Sequence, residues 1–253
     1  RGRLSKNPLT KTYFYPNDVK IQSGDLLKNP EYANTLETIA KEGSIAFYNS
    51  NIAKEIVTAV NADPHPGGMT LEDLKNYNTV LRPVIGGPFR NMKIGTTSPP
   101  SSGGAQIMIA GLYDQLINNE SNELEKISAF VDAQRLAYAD RDHFFGDPDE
   151  VNIPLEALLD PKYIRARAKQ RFLPETIPTP GDPSIVIDTL ANFPTWGKDN
   201  TVEAAGTTHL SIIDQNGNAV SMTATIESVF GSQRWAAGFL LNKPVVYEIR
   251  SLW

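Results

Sequence analysis

The stretch Gly206-Thr207-Thr208-His209-Leu210-Ser211-Ile212-Ile213-Asp214-Gln215-Asn216-Gly217-Asn218-Ala219-Val220-Ser221-Met222-Thr223-Ala224-Thr225 decides how this chain is read. Two β-rich runs, 208–214 and 219–226, flank Gln215-Asn216-Gly217-Asn218, whose residue types mark a tight hairpin turn. The turn leaves two registers open. A three-residue loop with Gly217 in the left-handed conformation pairs Asp214 with Asn218 and sets Thr207 opposite Thr225. A two-residue Asn216-Gly217 turn shifts the pairing and sets Thr208 there instead. In the first register a second hydroxyl stands beside Thr207, and strand alternation carries Glu227 to the same face.

The segment upstream sharpens this. Between Pro174 and Pro194 there are five prolines and little periodicity, which reads as a surface loop or linker. It feeds a strand that opens on Gly206-Thr207-Thr208. That arrangement suits an N-terminal nucleophile: the Thr207 hydroxyl attacks the Gly206 carbonyl, the chain is cut, and the α-amine so released serves as base for the same hydroxyl. An α-amine titrates at about 7.7–8.0, so it accepts a proton near neutral pH without a histidine. A glycine before the threonine removes side-chain bulk where the backbone must rearrange. Threonine is also an ordinary strand residue, and the pattern alone leaves both readings open.

Composition narrows the chemistry further. The 253 residues include no Cys and 3 His, which excludes a disulfide framework, a thiolate nucleophile and cysteine-ligated metal. Lys and Arg total 24 against 29 Asp and Glu, a formal charge of −5, with the basic residues scattered; nucleic acid and anionic membrane surfaces are poor partners. No apolar run reaches the length of a membrane span. The chain begins Arg1-Gly2-Arg3 without an initiating Met or a signal-peptide pattern, and is expected to be a processed product or a fragment.

Outward from the hairpin, helical spacing is expected over 34–42, 51–60 and 127–138, with a short capped helix opening at Thr70-Leu71-Glu72-Asp73. Residues 80–94 suggest strands joined at Gly86-Gly87-Pro88, and Ser98–Gly104 a tight loop feeding a buried helix over 107–116. Residues 155–171 read as one more helix. Asp140, Asp142, Asp147, Asp149 and Glu150 form the densest acidic cluster, but Phe144 and Phe145 occupy positions that a calcium loop needs for a ligand and a glycine. It reads as a solvated acidic helix end with His143 as a capping cation, and no metal is expected.

At these residues the sequence resembles a known family. Thr207–Asp214, Asn216–Thr225 and Phe230-Gly231-Ser232 closely resemble the start of the small subunit of γ-glutamyltransferases. Pro99–Gly104, Ala137–Arg141 with Gly146-Asp147-Pro148, Gly24-Asp25-Leu26 and Gly43–Tyr48 resemble the large subunit, in the family's order. The resemblance runs over roughly 20–242. It implies an α/β (α+β) N-terminal-nucleophile hydrolase, an αββα sandwich that is incomplete in this chain. Residues 1–206 correspond to the end of the large subunit, with a proline-rich linker over about 173–206, and 207–253 to the start of the small one.

The resemblance further implies a cut between Gly206 and Thr207, with Thr207 as nucleophile and, through its amine, general base, and Thr225 as hydrogen-bond partner of its hydroxyl. The substrate implied is a small-molecule γ-glutamyl amide such as glutathione, with water, an amino acid or a peptide as acceptor. The partner is a self-derived second subunit, with no cofactor, no nucleic acid and no membrane span, and the setting is periplasmic or secreted. Two departures qualify this. Glu227 stands where the common transferases carry a substrate-binding asparagine; its charge suits a substrate ammonium and repels a carboxylate. After Asn242 the chain reads Lys243-Pro244-Val245-Val246-Tyr247 to Trp253, and the family's paired serines, oxyanion glycines and carboxylate-binding arginine are not found. An inactive fragment or pseudoenzyme, and an acylase acting on β-lactam side chains, are therefore the alternatives.

Overall fold

The computed structural model describes residues 4–170, 172–187 and 207–242. It divides into two compact units, one from residues 4–79 with 207–242 and the other from 80–170 with 172–187. Helices dominate, and the strands form three separate two-stranded antiparallel sheets. No described helix is long and apolar enough to cross a membrane.

The first unit begins with α1 (Pro8–Phe14), α2 (Pro30–Glu42), α3 (Ser44–Tyr48), α4 (Asn51–Val60) and α5 (Leu71–Lys75). Asn29 caps α2 with Pro30 behind it, so that helix starts four residues ahead of the expected Asn34. Thr70 and Asp73 close a reciprocal capping box on α5, as the sequence suggested. In α4, Ile52 and Ile56 point into a core shared with Ala236, Ala237 and Leu241.

The second unit is built on β1 (Val84–Phe89), β2 (Met92–Thr97), α6 (Gly103–Leu116), α7 (Glu123–Phe144), α8 (Leu155–Leu159) and α9 (Pro161–Arg167). Gly86-Gly87-Pro88 lies inside β1, and the reversal falls at Arg90, whose φ is +52°. The expected helix over 155–171 divides at Asp160-Pro161. Asp160 turns extended and its carboxylate caps Lys162, because Pro161 restricts the residue before it and opens a new helix instead. Leu112, Leu136 and Leu158 are completely buried in this unit's core, each worth roughly 1.5–3 kcal/mol of apolar transfer.

The acidic cluster does not stay together in solvent. Asp140 is fully buried and accepts from Tyr163 Oη (2.8 Å), Arg167 Nε (3.1 Å) and the Gly181 N–H (2.8 Å), with a second Arg167 nitrogen at 2.8 Å. Spacing on α7 turns Asp140 toward the core while Asp142 faces out. Burial pushes the Asp140 carboxyl above the ordinary carboxylate range, opposed by Arg167, Gly181 and Tyr163 in that order. Arg167 also donates to the Thr179 (2.7 Å) and Leu136 (3.2 Å) carbonyls. Over its described part the proline-rich segment is mostly exposed and irregular, and it is held to this unit at Pro178, Gly181 and Pro183, which are buried. Its remainder, residues 188–206, lies outside the described residues.

Candidate active site

The first unit closes with the hairpin β3 (Thr207–Ile213) and β4 (Ala219–Thr225), then the small hairpin β5 (Trp235–Ala236) and β6 (Phe239–Leu240). β3 and β4 pair from Thr207 opposite Thr225 to Ile213 opposite Ala219, the first of the two registers. Loop chemistry selects it. Gly217 sits at φ +83°, its N–H donates to the Asp214 carbonyl (3.1 Å), and the Asp214 N–H donates to the Asn218 carbonyl (2.9 Å). The Asp214 carboxylate accepts the Asn216 and Asn218 backbone N–H and the Asn218 side-chain amide, each at 2.8 Å. These bonds, the Asn218 side chain's first among them, hold the Asp214 carboxyl below the usual carboxylate range.

The register sets the chemistry at the open end. The Thr207 hydroxyl donates to Thr225 Oγ1 at 3.1 Å, and the Glu227 N–H donates to the same oxygen at 2.9 Å. This fixes the Thr207 rotamer while its oxygen keeps lone pairs for attack on a carbonyl carbon. Glu227 does not follow strand alternation onto the Thr225 face. β4 ends at Thr225, and the Glu227 backbone turns left-handed at φ +74°. Its tie to the site is the main-chain N–H. Gly206 and Lys243–Trp253 lie outside the described residues.

Sequence reading assigned no role to His209. It continues the Thr207 face, with Nδ1 2.8 Å from Thr223 Oγ1 and Nε2 3.1 and 3.2 Å from the hydroxyls of Ser211 and Ser221. The signal was available as period two: Thr207, His209 and Ser211 on one strand face Thr225, Thr223 and Ser221 on the other. Leu210, Ile212, Val220 and Met222 form the opposite, apolar face, which is exposed. An apolar groove in the second unit, lined by Phe89, Ile109, Tyr113, Ile127 and Phe130, contains none of these hydroxyls. Hydroxyl geometry, and not concavity, marks the site.

Comparison with known proteins identifies the family. The model of the γ-glutamyltranspeptidase family matches residues 1–247, further at both ends than the motifs alone indicated. The chain belongs to the γ-glutamyltranspeptidase family. Relatives include the glutathione hydrolase proenzyme of Bacillus subtilis subsp. natto, 35% identical over 88% of this chain, and that of Escherichia coli K12, 32% identical over 94%. This γ-glutamyltranspeptidase-family chain spans 38% and 40% of their lengths. The crystal structure of Helicobacter pylori γ-glutamyltranspeptidase superposes with a TM-score of 0.60 at 30% identity, covering 69% of this chain and 50% of that one. The fold is thus of the mixed α/β N-terminal-nucleophile hydrolase type, matched over part of that structure, and among the described residues the apolar face of β3–β4 is exposed.

Proposed function

We propose that this chain is part of a γ-glutamyltransferase-type amidohydrolase and acyltransferase that cuts itself between Gly206 and Thr207. The observation that carries the reading is the Thr207–Thr225 hydroxyl pair on the first rung of the hairpin. Thr207 Oγ1 attacks the Gly206 carbonyl carbon, an ester replaces the peptide bond, and water releases the Gly206 carboxylate and restores the hydroxyl. The new α-amine of Thr207 then takes the hydroxyl proton as the same oxygen attacks a γ-glutamyl amide such as glutathione. The leaving amine departs, and water or an amino-acid or peptide acceptor resolves the γ-glutamyl ester. Residues 1–206 and 207–253 become portions of two subunits, and a periplasmic or secreted setting goes with this reading. The relatives' names, glutathione hydrolase proenzyme, support both the substrate class and the processing.

The test is intact mass spectrometry of the purified chain over time. Two products that sum to the chain plus one water, split at Gly206–Thr207, are expected. An uncut chain, together with no release of chromophore from a γ-glutamyl anilide by the full-length protein, overturns the reading.

A further inference from the structure

Scission at Gly206–Thr207 would leave the nucleophile on a downstream piece joined to the rest by no covalent bond. The hairpin that bears Thr207 supplies little to hold it, since every residue of β3 and β4 is exposed. The chain beyond the hairpin is different: Trp235 to Gly238 are all buried.

Arg234 is the centre of that segment. Its guanidinium donates to the carbonyls of Ala59, Ala62 (2.8 Å), Pro64 (3.2 Å) and His65 (2.7 Å), at the C-terminal end of α4 and in the loop that follows. Carbonyls at a helix C-terminus lack intrahelical donors and carry the negative end of the helix dipole, so a planar fork of N–H groups suits them. Four more bonds flank it. Trp235 Nε1 donates to the Glu31 carboxylate (3.0 Å), and the Ala237 N–H to the Glu55 carboxylate (3.0 Å). The Thr35 hydroxyl donates to the Ala237 carbonyl (2.7 Å) and the Asn29 side-chain amide to the Gly238 carbonyl (2.7 Å).

Apolar packing follows the same line. Ala236, Ala237 and Leu241 share a core with Ile52 and Ile56, and the Trp235 ring lies 5.0 Å from Tyr13. Gly238, at φ +86°, brings its backbone onto the first turn of α2; a Cβ there would fall 2.2 Å from the Tyr32 nitrogen. Each of these contacts joins a residue upstream of 206 to one downstream of 207.

We propose that residues 234–241 are the anchor by which the downstream piece stays bound after the cut, with Arg234 as its principal contact. Its partner is the surface that α2, α4 and the 59–65 loop of the upstream piece present. The idea deepens the proposed self-processing: the anchor forms before the cut and makes the second subunit's attachment independent of the exposed hairpin. A buried aromatic beside a half-buried arginine is the usual make-up of an energetic hot spot.

The experiment separates this from self-scission. A recognition sequence for a specific protease is placed between Gly206 and Thr207 in a Thr207→Ala background, so the nick is made by the added enzyme. The nicked parent should elute as one species carrying both pieces. Nicked Arg234→Met should shed the downstream piece about tenfold faster, the measure of a contact worth about 1.4 kcal/mol. Thr35→Val, which keeps side-chain shape and removes one donor, serves if un-nicked Arg234→Met loses its far-ultraviolet circular dichroism; it should shed the piece about threefold faster. Separation of the parent's pieces on nicking overturns the proposal, as does retention by the folded variant equal to the parent's. Failure of the native chain to cut itself, with no γ-glutamyl anilide turnover by the full-length protein, would sink the proposed function and leave this result standing.

Discussion

Thr207 Oγ1 and Thr225 Oγ1 stand 3.1 Å apart on the first rung of the β3–β4 hairpin, and the Glu227 N–H meets the second of them from 2.9 Å. The pair exists because a left-handed Gly217, ten residues from Thr207 along the hairpin, sets the register. A one-residue slip would turn every side chain of the strand over and place Thr208 opposite Thr225. A turn residue thus determines which hydroxyl is poised.

The first prediction concerns that pair. Thr207→Ala abolishes the proposed scission because it removes the attacking oxygen. Thr225→Ala slows it on the order of tenfold, the effect of losing a hydrogen bond worth about 1.4 kcal/mol in the transition state. Thr225→Ser, which keeps the hydroxyl, stays close to the parent. Time courses by intact mass spectrometry read all three.

His209 ties three hydroxyls together on the neighbouring rungs. Replacing it with Ala should loosen the open end of the hairpin by on the order of 1 kcal/mol, the sum of a few cross-strand side-chain contacts. Faster amide exchange from Thr208 to Leu210, with the Asn216–Gly217 turn unchanged, is the expected outcome. Uniform acceleration along the hairpin would assign the effect to the whole fold.

Asp140 offers a stability test in the second unit. Asp140→Ala leaves the Arg167 guanidinium buried without its carboxylate, and breaking a buried pair in this way costs about 3–5 kcal/mol. The urea midpoint should fall, and protease should cut first near Thr179–Gly181, which the same pair holds. A variant as stable as the parent would mean that Arg167 is satisfied by the Gln170 side chain and the Leu136 and Thr179 carbonyls.

Asp214 supplies a pH dependence. Its carboxyl lies lower in the folded chain than in the unfolded one, chiefly through the Asn218 side chain. A depressed acid contributes stability that is present above its unfolded value, about 3.9, and is lost as pH falls through the folded value. The hairpin turn should therefore hold at neutral pH and loosen below about pH 4. Amide shifts of Asn216 and Asn218 in an NMR titration follow it, and Asp214→Ala should erase the acid-dependent step.

The hairpin was legible because turn chemistry and period-two alternation are local signals, and Asn216-Gly217 with Asp214 fixes them within a few residues. Between its two registers sequence left a choice that three hydrogen bonds to one carboxylate resolve. The acidic cluster misled for the opposite reason. Nothing local tells Asp140 from Asp142; the difference is a partner 27 residues on, Arg167, and a helix face turned inward. Gly86-Gly87-Pro88 looked like a turn because such residues usually make one, yet strand pairing with Gly95, Ile94 and Lys93 overrides them. Arg234 gave no sequence signal at all, since its acceptors are main-chain carbonyls some 170 residues upstream.

Glu227 combines two effects that substitution separates. Its backbone is left-handed at φ +74°, which costs a non-glycine residue about 1 kcal/mol and which Asn and Gly tolerate better. Glu227→Asn and Glu227→Gly should both preserve the N–H contact to Thr225 and raise the melting temperature slightly, whereas Glu227→Val should lower it and slow scission. The carboxylate is a different matter: under the proposed function, a Glu227 charge beside the substrate would suit an α-ammonium and repel an α-carboxylate. In the full-length protein Glu227→Asn should therefore lower KM for a γ-glutamyl anilide, while Glu227→Gly, which relieves the backbone equally and restores no amide, should improve turnover less. Equal behaviour of the Asn and Gly variants would assign the whole effect to the backbone and remove Glu227 from substrate recognition. Preference for glutaryl over γ-glutamyl amides in the parent, reversed by Asn alone, would place the acyl-group choice in this one side chain.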